Sequence, residues 1–111
     1  MKNDLKSIKL ISELSAFVLH AGGNEFNVNF QEKDQIVTIT IEANIKNLSS
    51  NYLETLEGLN TPRQSEVEDY YWELAGESYN YQELTLVGMI IDKAEYSYEN
   101  NILKITVYRH I

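Results

Sequence analysis

The chain contains no cysteine, a single proline and few basic residues. Without cysteine it can form no disulfide, hold no metal through thiolates and use no cysteine nucleophile. Nine Lys and Arg stand against 17 Asp and Glu, which gives a net charge of −8, and the basic residues do not cluster. Because phosphate groups are bound by Lys and Arg, this composition argues against nucleic acid and anionic membranes as partners.

Long apolar runs are also missing. The apolar residues between Leu5 and Val18 are interrupted by Lys6, Lys9 and Glu13, which is typical of an amphipathic helix rather than a signal peptide. No stretch is long and apolar enough to predict a membrane span. The expected location is therefore the cytoplasm, and a length of 111 residues predicts one domain covering positions 1–111.

Hydrophobic periodicity predicts a helix followed by a hairpin in the first part of the chain. The helix runs from about Asp4 to Leu19, and Gly22 and Gly23 can end it. Two strands with apolar residues at alternate positions follow, and Lys33-Asp34 is predicted to lie in the turn between them. The apolar residues, expected to form the buried face of these half-buried strands, are Phe26, Val28 and Phe30 in the first strand and Val37, Ile39 and Ile41 in the second.

The second part of the chain predicts three helices and another hairpin. A short helix starts at Ser50 or Asn51, and Thr61-Pro62-Arg63-Gln64 is typical of the start of a second helix that runs to about Ala75. The third starts near Asn80 and should be largely buried, with Gly88 allowing it to pack closely.

The last two strands are predicted around Tyr96 and Leu103, and Asn100-Asn101 suits the tight turn between them. The predicted fold class is α+β. It is a two-layer sandwich of about four mostly antiparallel strands with helices on one face, in the order α-β-β-α-α-α-β-β.

Two stretches and this element order resemble a known family. Residues 13–22, which include His20-Ala21 and precede a strand, are similar to the first helix of the ATP-binding domain shared by histidine kinases, gyrase and anti-sigma kinases. Residues 84–94 are similar to the helix that follows the glycine-rich lid of that domain. The resemblance implies the fold of that family.

At the positions that this resemblance assigns to the nucleotide-binding motifs of the family, the sequence lacks the residues of those motifs. The asparagine that coordinates magnesium in the family corresponds to Ala16 or Phe17, and neither offers the oxygen that a hard cation requires. The place of the adenine-binding Asp-x-Gly-x-Gly motif reads Glu42-Ala43-Asn44-Ile45-Lys46, and the glycine-rich lid is replaced by the helix predicted from Pro62 to Ala75. We therefore expect neither ATP nor any other cofactor to be bound.

The remaining candidates for chemistry are one histidine and a group of carboxylates. His20 lies at a helix end and is the candidate for proton transfer, although a capping or packing role is the more usual explanation for such a histidine. Glu66, Asp69 and Glu73 recur on one face of the predicted middle helix, where they could bind a cation or form a solvated face.

Aromatic residues on the same helix predict a surface for interaction. Tyr70, Tyr71 and Trp72 are consecutive, so they cannot all face one core, and Trp72 is expected to point outward unless the following loop covers it. The predicted interaction surface consists of Glu68, Asp69, Trp72, Glu73 and Tyr79, and its acidity suits a basic partner.

Three hypotheses about function follow. The favoured one is a non-catalytic protein-interaction or regulatory module that does not bind ATP and acts through a protein partner or through self-association. The alternative is a small-molecule-binding protein or an enzyme, with a pocket between sheet and helices and with His20 and Glu66 or Glu73 as acid and base. The third is a subunit of a larger complex.

Overall fold

A four-stranded antiparallel sheet forms one layer of the fold. The computed structural model describes residues 3–64, 66 and 84–111, of which residues 85 and 86 are described by their backbone alone. The strands lie side by side in the order β1-β2-β4-β3. Their bounds are Glu25–Lys33 for β1, Ile36–Asn44 for β2, Lys93–Glu99 for β3 and Ile102–His110 for β4. The predicted α+β class with an antiparallel sheet is confirmed.

Helices form the other layer. Helix α1 spans Asn3–His20, α2 spans Ser50–Leu56 and is followed by a 3₁₀ turn over Glu57–Asn60, and α3 spans Leu84–Gly88. The start of α2 is fixed by the Ser49 hydroxyl, which accepts a hydrogen bond from the Asn51 amide at 3.2 Å. A serine at this position satisfies an amide that has no partner within the helix.

The hydrophobic core lies between these helices and one face of the sheet. Opposed residues of β2 and β4, such as Ile39 with Val107 and Ile41 with Ile105, have side chains on the same face and are fully buried. Burying one such side chain contributes about 1.5–3 kcal/mol. The helices supply the other half of the core, including Leu10, Leu14, Phe17 and Val18 of α1, Leu56 of α2, Leu59 of the 3₁₀ turn and Leu84 and Val87 of α3.

The opposite face of the sheet is polar. Thr40 and Thr106 are opposed there with their hydroxyl oxygens 3.4 Å apart, and Lys104 lies 3.8 Å from Glu42. The alternation of apolar and polar residues in β2 and β4 therefore matches one buried and one solvated face.

The edge strand β1 differs from the prediction. The apolar face was expected to be buried, but Phe26 is only half-buried, Val28 is 39% exposed and Phe30 is 47% exposed. Their neighbours in β2, Ile41 and Ile39, are fully buried. The alternation of apolar residues correctly predicted which face of β1 points toward the helices. The helix layer, however, covers β2 and leaves the outer part of β1 exposed.

Both hairpin turns use residues with positive φ. The first turn is formed by Asp34 and Gln35, with φ of 54° and 64°, so it lies one residue later than predicted. Asn100 and Asn101 form the second turn, as predicted, with φ of 53° and 64°. Positive φ at both central residues is the geometry that matches the twist of two adjoining strands.

The helix start predicted at Thr61-Pro62 is wrong. Residues 62–64, which would form the first turn of that helix, are not helical, although the extended backbone of Thr61, with ψ of 137°, would suit a capping residue. The Gln64 amide instead donates to the Met89 carbonyl at 2.7 Å, so this segment returns to the end of α3. A tertiary hydrogen bond has replaced the local capping pattern. Residues 67–75, where that helix was predicted to continue, and the predicted start of the third helix at Asn80 lie outside the described residues.

Candidate functional site

The interaction surface predicted from the sequence cannot be placed in the structure. Glu68, Asp69, Trp72, Glu73 and Tyr79 lie outside the described residues. It stays a prediction from the sequence.

The candidate proton-transfer residue, His20, is exposed at the last position of α1. Its backbone carbonyl accepts a hydrogen bond from the Tyr52 hydroxyl at 3.0 Å. The Tyr52 ring packs edge-on against the Phe17 ring, with the two ring centroids 5.8 Å apart. This contact ties the end of α1 to α2.

Glu66 and His20 are tied to opposite ends of strand β2. The end of α1 lies beside Ile45, just past one end of β2. Arg63, three residues before Glu66, donates to the His110 carbonyl at 2.9 Å, and His110 is opposite Ile36 at the other end of β2. A nine-residue strand separates the two ends by roughly 27 Å, so these contacts tie His20 and Glu66 to opposite ends of β2 and do not bring them together.

A second apolar stripe runs along the outer side of α1. Leu5, Ile8 and Leu19 are 50%, 57% and 60% exposed. At 100° per residue these three side chains point within about 60° of one another and roughly opposite to the core residues Leu10 and Leu14. The sequence contained this signal, because positions three and eleven residues apart share a helix face, but only the core stripe was recognised.

Small side chains lie between the ends of this outer stripe. Ser12 is exposed and Ser15 is half-buried, and both point in nearly the same direction as Ile8 and Leu19. A helix face with large apolar groups at its ends and small groups between them presents a shallow channel. Such a shape suits the packing of another apolar element.

Arg109 is the most deeply buried charged residue among those described, and only 2% of it is exposed. Its guanidinium donates to the Ile90 carbonyl at 2.6 Å and to the Asn3 side-chain oxygen at 3.3 Å. It thus joins β4 to the turn after α3 and to the start of α1. Sequence analysis missed this role, because an arginine near a strand end has no pattern that signals burial.

A second arginine closes the same end of the sheet. Arg63 lies 2.9 Å from the Asp92 carboxylate, which also accepts a hydrogen bond from the His110 amide at 2.5 Å. These bonds hold the chain before β3 against the end of β4. Both arginines therefore act in the scaffold.

One carboxyl group of α1 has a shifted pKa. Partial burial raises the pKa of the Glu13 carboxyl above its ordinary value, and the charge of Lys9 opposes this shift. Glu13 is half-buried on the side of α1. Its carboxylate therefore destabilises the folded protein slightly at neutral pH.

A depression of about 330 Å³ lies on the polar face of the sheet, lined among others by Ser97, Lys104 and Thr106. At its rim the Tyr108 hydroxyl donates to the Glu95 carboxylate at 2.8 Å, and this hydrogen bond raises the pKa of the Tyr108 phenol. The pocket of the alternative hypothesis was expected on the other face, between sheet and helices. The described residues there pack as the hydrophobic core.

The positions that correspond to nucleotide ligands in the resembling family can be located. Ala16 is half-buried on the side of α1, and Phe17 is fully buried in the core. Glu42, at the place of the adenine-binding motif, is exposed on the polar face beside Lys104. Among the described residues, no three His, Asp or Glu side chains come together in a way that could hold a metal ion.

Comparison with known proteins gives no match: no protein-family model, curated protein or solved structure is similar to this chain. Within the described ranges, no helix combines the length and the apolar character needed to cross a bilayer.

Proposed function

We propose that this chain is a non-catalytic protein-interaction module that binds its partner through the outer stripe of α1. The observation that carries the proposal is that Leu5, Ile8 and Leu19 are aligned along one helix face and each is at least half exposed. Single exposed apolar residues are common, but aligned ones indicate a surface for interaction.

The shape of this stripe suggests the kind of partner. Large side chains at both ends of a helix face, with small ones between them, suit an amphipathic helix laid alongside. Completing the burial of three half-exposed Leu and Ile side chains would contribute about 3 kcal/mol, or roughly 100-fold in affinity. This is enough to select a partner without a deep pocket.

We also propose that the chain has the scaffold of the histidine-kinase type of ATP-binding domain but does not bind ATP. The order of a helix, a hairpin, a helical region and a second hairpin supports the scaffold. The buried Phe17, at one of the two positions that could match the magnesium-binding asparagine, supports the loss of the ligand site. Ala16, at the other, has no side-chain oxygen.

The interaction is tested by affinity purification of the tagged chain from its native cells. The doubly substituted chain Ile8→Lys and Leu19→Lys should lose the partner that the unchanged chain retains. Glu99→Lys is the matched control, because it changes the net charge by the same two units at an exposed site on the far edge strand. Equal recovery of that partner by both variants would contradict the role of the stripe.

Nucleotide binding is tested separately by calorimetric titration with ATP and magnesium. We expect no saturable heat at concentrations up to the millimolar range. Saturable binding would reject the second proposal and favour the alternative of a small-molecule-binding protein or an enzyme. The result of this titration does not depend on whether a protein partner binds α1.

A further inference from the structure

The outer edge of strand β1 has no partner strand among the described residues. The strand pairs with β2 on its other side. Its nine residues pair with β2 in an unbroken register and include no proline. Natural edge strands are usually protected by proline, bulges or central charges that point inward, and here the one charge on the helix side, Glu32, lies near the strand end.

The hairpin geometry defines which backbone groups face outward. A two-residue turn at Asp34-Gln35 makes Lys33 and Ile36 the hydrogen-bonded pair that closes the hairpin. Odd-numbered residues of β1 therefore bond to β2, and the N–H and C=O groups of the even-numbered residues point outward. The side chains of these even-numbered residues lie on the helix side, where Val28 and Phe30 are exposed.

The sequence of β1 is complementary to itself in the antiparallel direction. With two copies centred on Asn29, Glu25 of each lies opposite Lys33 of the other, and Val28 lies opposite Phe30. All nine residues of the strand then have a partner. Opposite charges and apolar pairs placed directly across two strands are each stabilising.

Other registers fit less well. Opposed side chains must lie on the same face of the sheet. The two copies of β1 can therefore shift along each other only by two residues at a time. One such shift places Glu32 opposite Val28, and the other leaves Lys33 beyond the end of the partner strand. The register centred on Asn29 is the one that places Glu25 opposite Lys33 and Val28 opposite Phe30, and it also places Glu32 opposite Phe26.

We propose that a second copy of this chain binds at β1 and forms a continuous eight-stranded sheet across a two-fold axis at Asn29. Val28 and Phe30 of both copies then form one apolar cluster on the helix side of the sheet. The outward N–H and C=O groups of both strands become paired. This inference goes beyond the proposed function, because it concerns a different surface and names the chain itself as the partner.

The axis is tested by single cysteines in this cysteine-free chain. At Asn29 the two Cα atoms would form a non-hydrogen-bonded pair about 4.5 Å apart, within the range for a disulfide. Asn29→Cys should therefore give a disulfide-linked dimer on mild oxidation. Asn27→Cys, exposed on the same face, is the matched control, because the two cysteines would be about 14 Å apart along the strand.

The register is tested by exchanging charges. Glu25→Lys alone and Lys33→Glu alone each replace two attractive pairs by repulsive ones and should weaken the dimer roughly 10-fold. The doubly exchanged chain should regain the original affinity. Because both residues are exposed, each variant is expected to fold, which circular dichroism verifies.

Sedimentation equilibrium measures the outcome. We expect a concentration-dependent mass of twice 12.8 kDa for the unchanged chain. A monomer at all concentrations up to about 0.5 mM, equal crosslinking at positions 27 and 29, or no recovery in the double exchange would each overturn the proposal. None of these results affects the α1 stripe, whose variants are scored on a different partner, so the two proposals fail separately.

Discussion

Replacing Gly88 by alanine should destabilise the fold, although alanine is the better helix former. Gly88 is buried at the end of α3 and lies against the 3₁₀ turn. A Cβ at this position would come within 2.5 Å of the Gly58 carbonyl oxygen and 3.1 Å of the Leu59 carbonyl oxygen. Both are backbone atoms, so relief requires the turn or the helix to move.

The size of the effect follows from two opposing contributions. Alanine in an unobstructed helix is favoured over glycine by about 1 kcal/mol. Forcing an extra carbon into a packed contact costs about 1–3 kcal/mol. Because the approach to Gly58 is well inside van der Waals contact, we take the upper part of that range and expect a net loss of about 1–2 kcal/mol in the free energy of unfolding.

Urea unfolding followed by circular dichroism measures this loss. Ser12→Ala is the matched control, because it changes an exposed position of α1 and should raise stability by a few tenths of a kcal/mol through helix propensity alone. If Gly88→Ala were as stable as the unchanged chain or more so, α3 would not pack against the 3₁₀ turn as described, and the argument would fail.

Three further perturbations test other parts of the structure. Tyr98→Phe should cost about 1–2 kcal/mol in thermal unfolding, because the hydroxyl donates to the Ile45 carbonyl at 2.6 Å and accepts from the Leu48 amide at 3.2 Å. Gln35→Gly should raise stability by about 1 kcal/mol in urea unfolding, because glutamine adopts a φ of 64° there at a steric cost. Glu13→Gln should raise the melting temperature at pH 7 and not at pH 3.5. The raised pKa of Glu13 means that the folded state binds the proton more tightly, so stability is lost as pH rises through that pKa. An equal effect of Glu13→Gln at both pH values would contradict this assignment.

The elements that were predicted well are those with strong local signals. Helix α1 was predicted within a residue at each end, because its apolar spacing and the Gly22-Gly23 ending agree. The turn at Asn100-Asn101 was found because asparagine tolerates positive φ. The turn at Asp34-Gln35 was predicted one residue too early, because glutamine gives no such signal.

The features that were missed depend on tertiary contacts. Alternation predicted which face of β1 points toward the helices, but only the position of the helix layer decides whether Val28 and Phe30 are covered. The burial of Arg109 requires the Ile90 carbonyl and Asn3 to converge from distant parts of the chain. The capping pattern at Thr61 was overridden for the same reason.

The interaction role and the surface predicted for it both stay predictions from the sequence. An interaction role was expected from the aromatic and acidic residues around Trp72, which lie outside the described residues. The surfaces found in the structure are the outer stripe of α1 and the edge of β1. Neither was recognised from the sequence, because exposed apolar residues in a periodic pattern resemble core residues until the packing is known.

The two edge strands of the sheet differ in how well their helix-facing side chains are covered, and this difference bears on the proposal for β1. On the β3 side, the helix-facing Tyr96 and Tyr98 are half-buried, and the Tyr98 hydroxyl is bonded to the chain before α2. On the β1 side, Val28 and Phe30 lack comparable cover. Selection for solubility alone would favour a charge at one of these two positions. We therefore interpret the asymmetry as the mark of a binding edge.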